Sequence, residues 1–212
     1  MSLIAKSESE DRKIIDAAVY RGVCTTIIDL GTHLSEKYNK ESRHIRIIWE
    51  LPDESYTYTD EETGKEVTRP GRISKKYYSM SLGSKATLAK DLEGWRSRPF
   101  TKKEKDGFDL KNILGKNCML NVIHDSFDGG DTFAKIAGIT PLMKGMQTVE
   151  SSETPSMIMI DDPDPEWMNQ WIVKDRDSSI ERMAATYGHE DPSKDKREVT
   201  PPAQQEEDDL PF

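Results

Sequence analysis

Apolar and polar positions are organised in blocks over roughly the first two-thirds of the chain. Between Ala17 and Leu34 the residues Val19, Val23, Thr25, Thr26, Ile27 and Ile28 form a β-branched run, with Gly22 and Gly31 placed for a bulge or bend. This predicts a long, bent first strand, followed by a polar loop over 35–42. From His44 to Glu50 the chain alternates, with Ile45, Ile47 and Trp49 on one face and His44, Arg46 and Ile48 on the other. That is a second strand, continuing toward Tyr58. Asp60 to Lys65 reads as a turn, and a third strand runs from about Val67 to Leu82, interrupted at Pro70-Gly71. Ser84 is placed to cap a helix whose Leu88, Leu92 and Trp95 share a face and which Pro99 ends. Thr101 to Glu104 has capping-box spacing. Phe108, Leu110, Ile113 and Leu114 suggest a short helix or turn closed by Gly115. Cys118, Leu120 and Val122 alternate with Met119, Asn121 and Ile123 in a fourth strand. Asp128-Gly129-Gly130-Asp131 is a hairpin turn, and Thr132 to Pro141 a fifth strand.

The resulting order, β-β-β-α-β-β with a long first strand, is that of the mainly β, five-stranded oligonucleotide/oligosaccharide-binding (OB) barrel. Other small barrels with an inserted helix share it. Residues 17–145 are the expected barrel domain, preceded by a flexible N-terminus over 1–16. Residues 146–186 read as a linker and short helical extension. Within them Met157 to Ile160 could add an edge strand, and Trp167 and Trp171 lie four apart on one helix face. From 187 to 212 only a disordered acidic tail is expected.

Charge sharpens this division. Of the formal net charge of −9, residues 1–150 carry 24 Lys+Arg against 23 Asp+Glu, while residues 151–212 carry 6 against 16. The acid lies at the C-terminal end, so the front can still present a basic face. Two cysteines, Cys24 and Cys118, both in apolar runs, make no disulfide framework and fit a reducing cytosol. No apolar run has the length of a membrane span, and no secretory h-region stands at the N-terminus.

No catalytic constellation is present: H-E-x-x-H, G-x-S-x-G and a Gly-rich phosphate loop are all missing. His33, His44, His124 and His189 are scattered. Cys24, His33, Cys118 and His124 could converge across neighbouring strands but lack the close ligand spacing of a structural zinc site. Asp161-Asp162-x-Asp164 lacks the rest of a calcium loop. The reading is a protein that is not an enzyme and uses no metal or cofactor.

Binding chemistry is more visible. Arg43, Arg46, Trp49, Arg69, Arg72, Lys75, Lys76, Tyr77 and Tyr78 lie on or beside the second and third strands, the ligand-binding face of such a barrel. Cations for phosphates and flat rings for bases are what sequence-independent binding of single strands requires. Trp49 shares its face with Ile45 and Ile47, and one of the adjacent tyrosines must point inward. Arg96 and Arg98, between Trp95 and Phe100, could clamp phosphates or pair with Asp91, Glu93 or Glu104. The end of the chain, Glu206-Glu207-Asp208-Asp209-Leu210-Pro211-Phe212, sets four acids before an apolar tip, as a docking hook for a basic-rimmed apolar pocket would.

Tyr78-Ser79-Met80-Ser81-Leu82, Ala86, Leu88, Asp91-Leu92, Trp95-Arg96-Ser97-Arg98-Pro99-Phe100-Thr101, Phe108-Asp109-Leu110, Leu114-Gly115-Lys116 and Cys118-Met119-Leu120-Asn121-Val122 together resemble a family of tailed-bacteriophage single-stranded-DNA-binding proteins of the barrel type. The likeness covers about 17–143. Ser97 stands where that family often has glycine. Independently, Asp208-Asp209-Leu210-Pro211-Phe212 resembles the acidic tip of bacterial single-stranded-DNA-binding proteins, which recruits replication and repair enzymes and competes weakly with DNA for the basic face. The resemblances imply a phage-encoded protein of the host cytoplasm. Such a protein binds single-stranded DNA in replication, recombination and repair and brings partner enzymes through residues 208–212. A barrel edge or the Trp167–Ala185 segment could pair subunits. Two other readings stand beside this one: a replisome interaction scaffold without DNA affinity, and, weakest, a metal-dependent nuclease.

Overall fold

The structure, a computed structural model, describes residues 14–35, 39–60, 63–126 and 132–187, the last four of these by backbone only. Its elements are β1 (Val19–Ser35), β2 (Lys40–Thr59), β3 (Glu66–Ser74), β4 (Tyr78–Ser79), α1 (Thr87–Arg96), α2 (Lys102–Asp106), a 3₁₀ turn at Leu110–Ile113, β5 (Asn117–Ser126), β6 (Thr132–Thr140), β7 (Ser156–Ile158), α3 (Gln170–Asp177) and α4 (Ile180–Tyr187). The strands form one sheet in the order β3-β2-β1-β5-β6, with β4 on β2 and β7 on β1. The β2–β3, β1–β5 and β5–β6 ladders are antiparallel, whereas β7 runs parallel to β1. The outermost strands of that order, β3 and β6, approach one another, so the sheet is curled. The protein is mainly β. Among the described residues no helix is long and apolar enough to cross a membrane.

The described residues divide into two compact units, one drawn from 14–29 and 44–159, the other from 30–43 and 160–187. In the first, the alternating apolar residues meet inside the curl. Ile27, Ile45, Ile47, Trp49, Leu51, Leu120, Val122, Ile136 and Ile139 are buried together with Leu88, Leu92 and Trp95 of α1. Each fully buried aliphatic side chain contributes about 1.5–3 kcal/mol relative to leaving it in water. Trp95 also donates its ring N–H to the Asn117 carbonyl at 2.8 Å, fixing α1 to the start of β5.

Two local expectations need correction. Pro70 and Gly71 do not interrupt the third strand. The irregularity falls on β2, where the register slips between Leu51 and Ser55, so Pro70 stays paired with Ser55 and Gly71 with Leu51. The extra residues on β2 form a bulge, and proline is tolerated because β3 is paired only on its β2 side. The break comes instead at 75–77, between β3 and β4. Likewise Ser84 does not cap α1. The N-cap is Ala86, with extended backbone and no side-chain bond. The Thr101 capping box does form: the hydroxyl accepts from the Glu104 N–H, and the Glu104 carboxylate accepts from the Thr101 N–H at 2.9 Å.

In the second unit Gly31 has φ +78, and a Cβ there would stand 2.5 Å from the Ser179 side chain. Glycine permits both the left-handed backbone and this close approach. Beside it the Glu181 carboxylate accepts from the Thr32 N–H (2.9 Å) and hydroxyl (3.0 Å). Arg176, wholly buried, donates to the carbonyls of Ile160 and Asp162 and pairs with Asp164 at 3.0 Å.

Candidate nucleic-acid interface

Burial along β2 changes abruptly. Ile45 through Leu51 are buried on both faces, and beyond the bulge the strand is mostly exposed to Thr59. The far half of the β2–β3 hairpin therefore carries side chains that no core claims. Tyr56 and Tyr58, two residues apart, point to the same side. Each is 40% exposed, and their rings stack at 6.1 Å between centroids and 26° between planes. Arg69, the cross-strand partner of Tyr56, lies on that side and donates Nε to the Tyr58 hydroxyl at 3.1 Å. On the other side the hydroxyls of Thr57 and Thr68 bond at 2.9 Å. The hairpin thus presents two flat rings and a guanidinium together, which is the material for stacking a base and pairing its phosphate.

A second exposed ring stands near the opposite end of β2. Tyr77 is 45% exposed and stacks on His44, with centroids 4.3 Å apart and planes 19° from parallel. Lys76 beside it is exposed. Of the adjacent tyrosines, Tyr78 points inward: it is buried and donates its hydroxyl to Asp91 at 2.7 Å. Burial, followed by the Asp91 charge, pushes its phenol well above the usual range.

The remaining sequence-derived candidates are placed otherwise. Trp49 is 0% exposed and packs 6.2 Å from Trp95, so it offers no face to a base and belongs to the core. Arg46 is buried too, with Nη1 donating to the Ser74 hydroxyl at 3.0 Å. Lys75 pairs with Asp91 at 2.5 Å. Arg43 lies in the second unit and pairs with Glu181 at 3.5 Å. Arg96 and Arg98 both pair with Glu104, Arg98 at 2.8 Å, and Arg96 also lies over the Phe100 ring. Arg98, then the Thr101 N–H, hold the Glu104 carboxyl well below the usual carboxylate range. Both arginines are thus tied to the capping box through Glu104, with the Arg98 side chain still 53% exposed.

Arg69 and Arg72 remain, and both converge on Glu153, at 3.6 Å and 2.9 Å. Arg72 also lies 3.9 Å from the buried Glu50 carboxylate. Tyr56, Tyr58, His44 and Glu153 are not among the sequence-derived binding candidates. The tyrosines had a legible signal, a period-2 repeat of rings in a strand that had already left its apolar block.

The candidate metal sets are not assembled. His33 and His124 bond the carbonyls of Leu30 and Ile15 through Nε2. Asp164 pairs with Arg176 and Arg182. Among the described residues no three His, Cys, Asp or Glu side chains are grouped to hold an ion. His189 and the tip residues Asp208, Asp209, Leu210, Pro211 and Phe212 lie outside the described residues, as does the 128–131 turn. No protein-family model, curated protein or solved structure matches the chain.

Proposed function

We propose that this protein binds single-stranded DNA without sequence preference, on the β2–β3 hairpin of an OB-type barrel. The stacked, exposed pair Tyr56–Tyr58 with Arg69 at its edge carries the reading. Rings stack on any base, and guanidinium pairs with any phosphate, so neither depends on sequence. The strand order β3-β2-β1-β5-β6, the curl that brings β3 toward β6, and α1 between the third long strand and β5 all support a barrel of this type. The proposal extends to a role in phage replication or recombination, as the motif resemblance over residues 17–143 implies. In that role the barrel protects exposed strands, and residues 208–212 bring partner enzymes to them.

Titration of labelled oligo-dT at low and high salt tests this. Binding should weaken with salt by about 0.7 units of log–log slope for each phosphate neutralised. No binding at low salt overturns the proposal. Removing Asp208–Phe212 should leave DNA binding intact or slightly tighter while abolishing capture of partner enzymes.

A further inference from the structure

The chain that leaves β6 turns back along the first unit, and residues 147–155 form a strap held at four places. Arg21 Nη1 donates to the Gln147 carbonyl at 3.3 Å. The Asn117 side chain grips Val149 on both sides of that residue, donating Nδ2 to its carbonyl (2.9 Å) and accepting its N–H at Oδ1 (2.6 Å). Ser152 donates its N–H and its hydroxyl to the two oxygens of buried Glu50, at 2.7 and 2.6 Å. The next residue, Glu153, brings its carboxylate to Arg72 Nη2 (2.9 Å) and Arg69 Nη1 (3.6 Å).

Two arginines from one strand converge on the Glu153 carboxylate, with the buried Glu50 carboxylate farther off at 3.9 Å from Arg72 and held by Ser152, and such a convergence is the charge arrangement of a site for an anionic oxygen group. One of the two, Arg69, also touches the exposed ring pair through Tyr58. Glu153 is half exposed, so moving it uncovers little apolar surface. Its neighbour Ser152 is fixed by Glu50, so the strap can keep its place while the carboxylate swings away. Ion pairs of this exposure are worth roughly a factor of two to five each in an equilibrium constant, weak enough for a ligand to displace.

We propose that Arg69 and Arg72 form a phosphodiester site, and that Glu153 occupies it as a built-in competitor until a single strand displaces it. This rests on the single-strand-binding reading above and adds to it a place for one phosphate and a brake on affinity. The brake lies within the folded unit and is separate from the acidic C-terminal residues.

The test is oligo-dT titration of the full chain at low salt, with Glu153→Gln, Glu150→Gln and Arg69→Ala/Arg72→Ala. Glu153→Gln should bind roughly three- to tenfold tighter than wild type. Glu150→Gln removes the same charge three residues away and should change affinity less than about twofold. In the Arg69→Ala/Arg72→Ala background, adding Glu153→Gln should have no effect. Equal tightening by the two Glu→Gln variants, or tightening that persists without the arginines, overturns the site and leaves the binding reading standing. Wild type that binds and Glu153→Gln that binds no tighter does the same. Absence of binding in every variant overturns both.

Discussion

Tyr56 and Tyr58 stand two residues apart on β2 with their rings 6.1 Å apart and near parallel, outside the core that ends at Leu51. Rings so placed lie outside the core cluster and keep 40% of their surface exposed. Tyr56→Ala and Tyr58→Ala should each weaken oligonucleotide binding by about 1–3 kcal/mol while shifting thermal stability little. Anisotropy titration beside thermal melting separates the two effects. A loss of stability as large as the loss of affinity would assign the rings to the fold instead.

Trp49 makes the opposite case. It is buried against Trp95, and its ring N–H has no hydrogen-bond acceptor among the described residues. Trp49→Ala should cost about 3–5 kcal/mol of stability through the cavity it leaves. Trp49→Phe loses volume but no hydrogen bond. It should stay folded and bind oligonucleotide as wild type does. Denaturant unfolding gives the first quantity and the titration the second.

Burial pushes the Cys24 thiol up from 9.0 to about 12 and raises that of Cys118 as well. The native thiols stay protonated and unreactive, so alkylation should be slow in native protein and rapid after denaturation. The folded value is the higher one. The contribution to stability is therefore complete below about pH 9 and is lost as pH rises toward 12, because the unfolded thiols ionise first. Denaturant midpoints measured across that range should fall.

Glu104 has the reverse sign. Its carboxyl is held below the ordinary 4.5, first by Arg98 and then by the Thr101 N–H. The contribution is present above that value and is lost as pH falls through the lower folded one. Glu104→Gln keeps the shape but not the charge. It should melt below wild type at neutral pH, and the gap should narrow as acid is added. A gap that stays constant with pH would mean the charge is irrelevant and only the cap geometry matters.

Much of the strand order was legible because one face of each strand meets the core and the other is polar, which leaves an alternation in the sequence. Residues 45–51 of β2 show the limit of that signal. Ile45, Ile47 and Trp49 alternate as a core face should, but Arg46, Ile48 and Glu50 between them are buried as well. Charged residues read as solvent-facing because their partners are remote: Ser74 is 28 positions from Arg46, and Ser152 is 102 positions from Glu50. No local window contains such a pairing. The same remoteness hid the anion opposite Arg69 and Arg72. The basic side of the candidate site could be found from strand three alone, but its present occupant could not. Trp49 shows that composition identifies a ring and periodicity its face, and periodicity had already placed it with the isoleucines.

The parallel pairing of β7 with β1 has a consequence for self-association. On the side of β1 away from β2, β5 pairs only as far as Val23, and β7 takes over at Thr26, Ile27 and Ile28. Those three β-branched residues would otherwise offer an open, adhesive edge to any passing strand, another molecule of the same protein included. The three residues Ser156–Ile158 thus occupy that stretch of the β1 edge, and a chain shortened before Ser156 would leave Thr26, Ile27 and Ile28 open to pairing with a foreign strand.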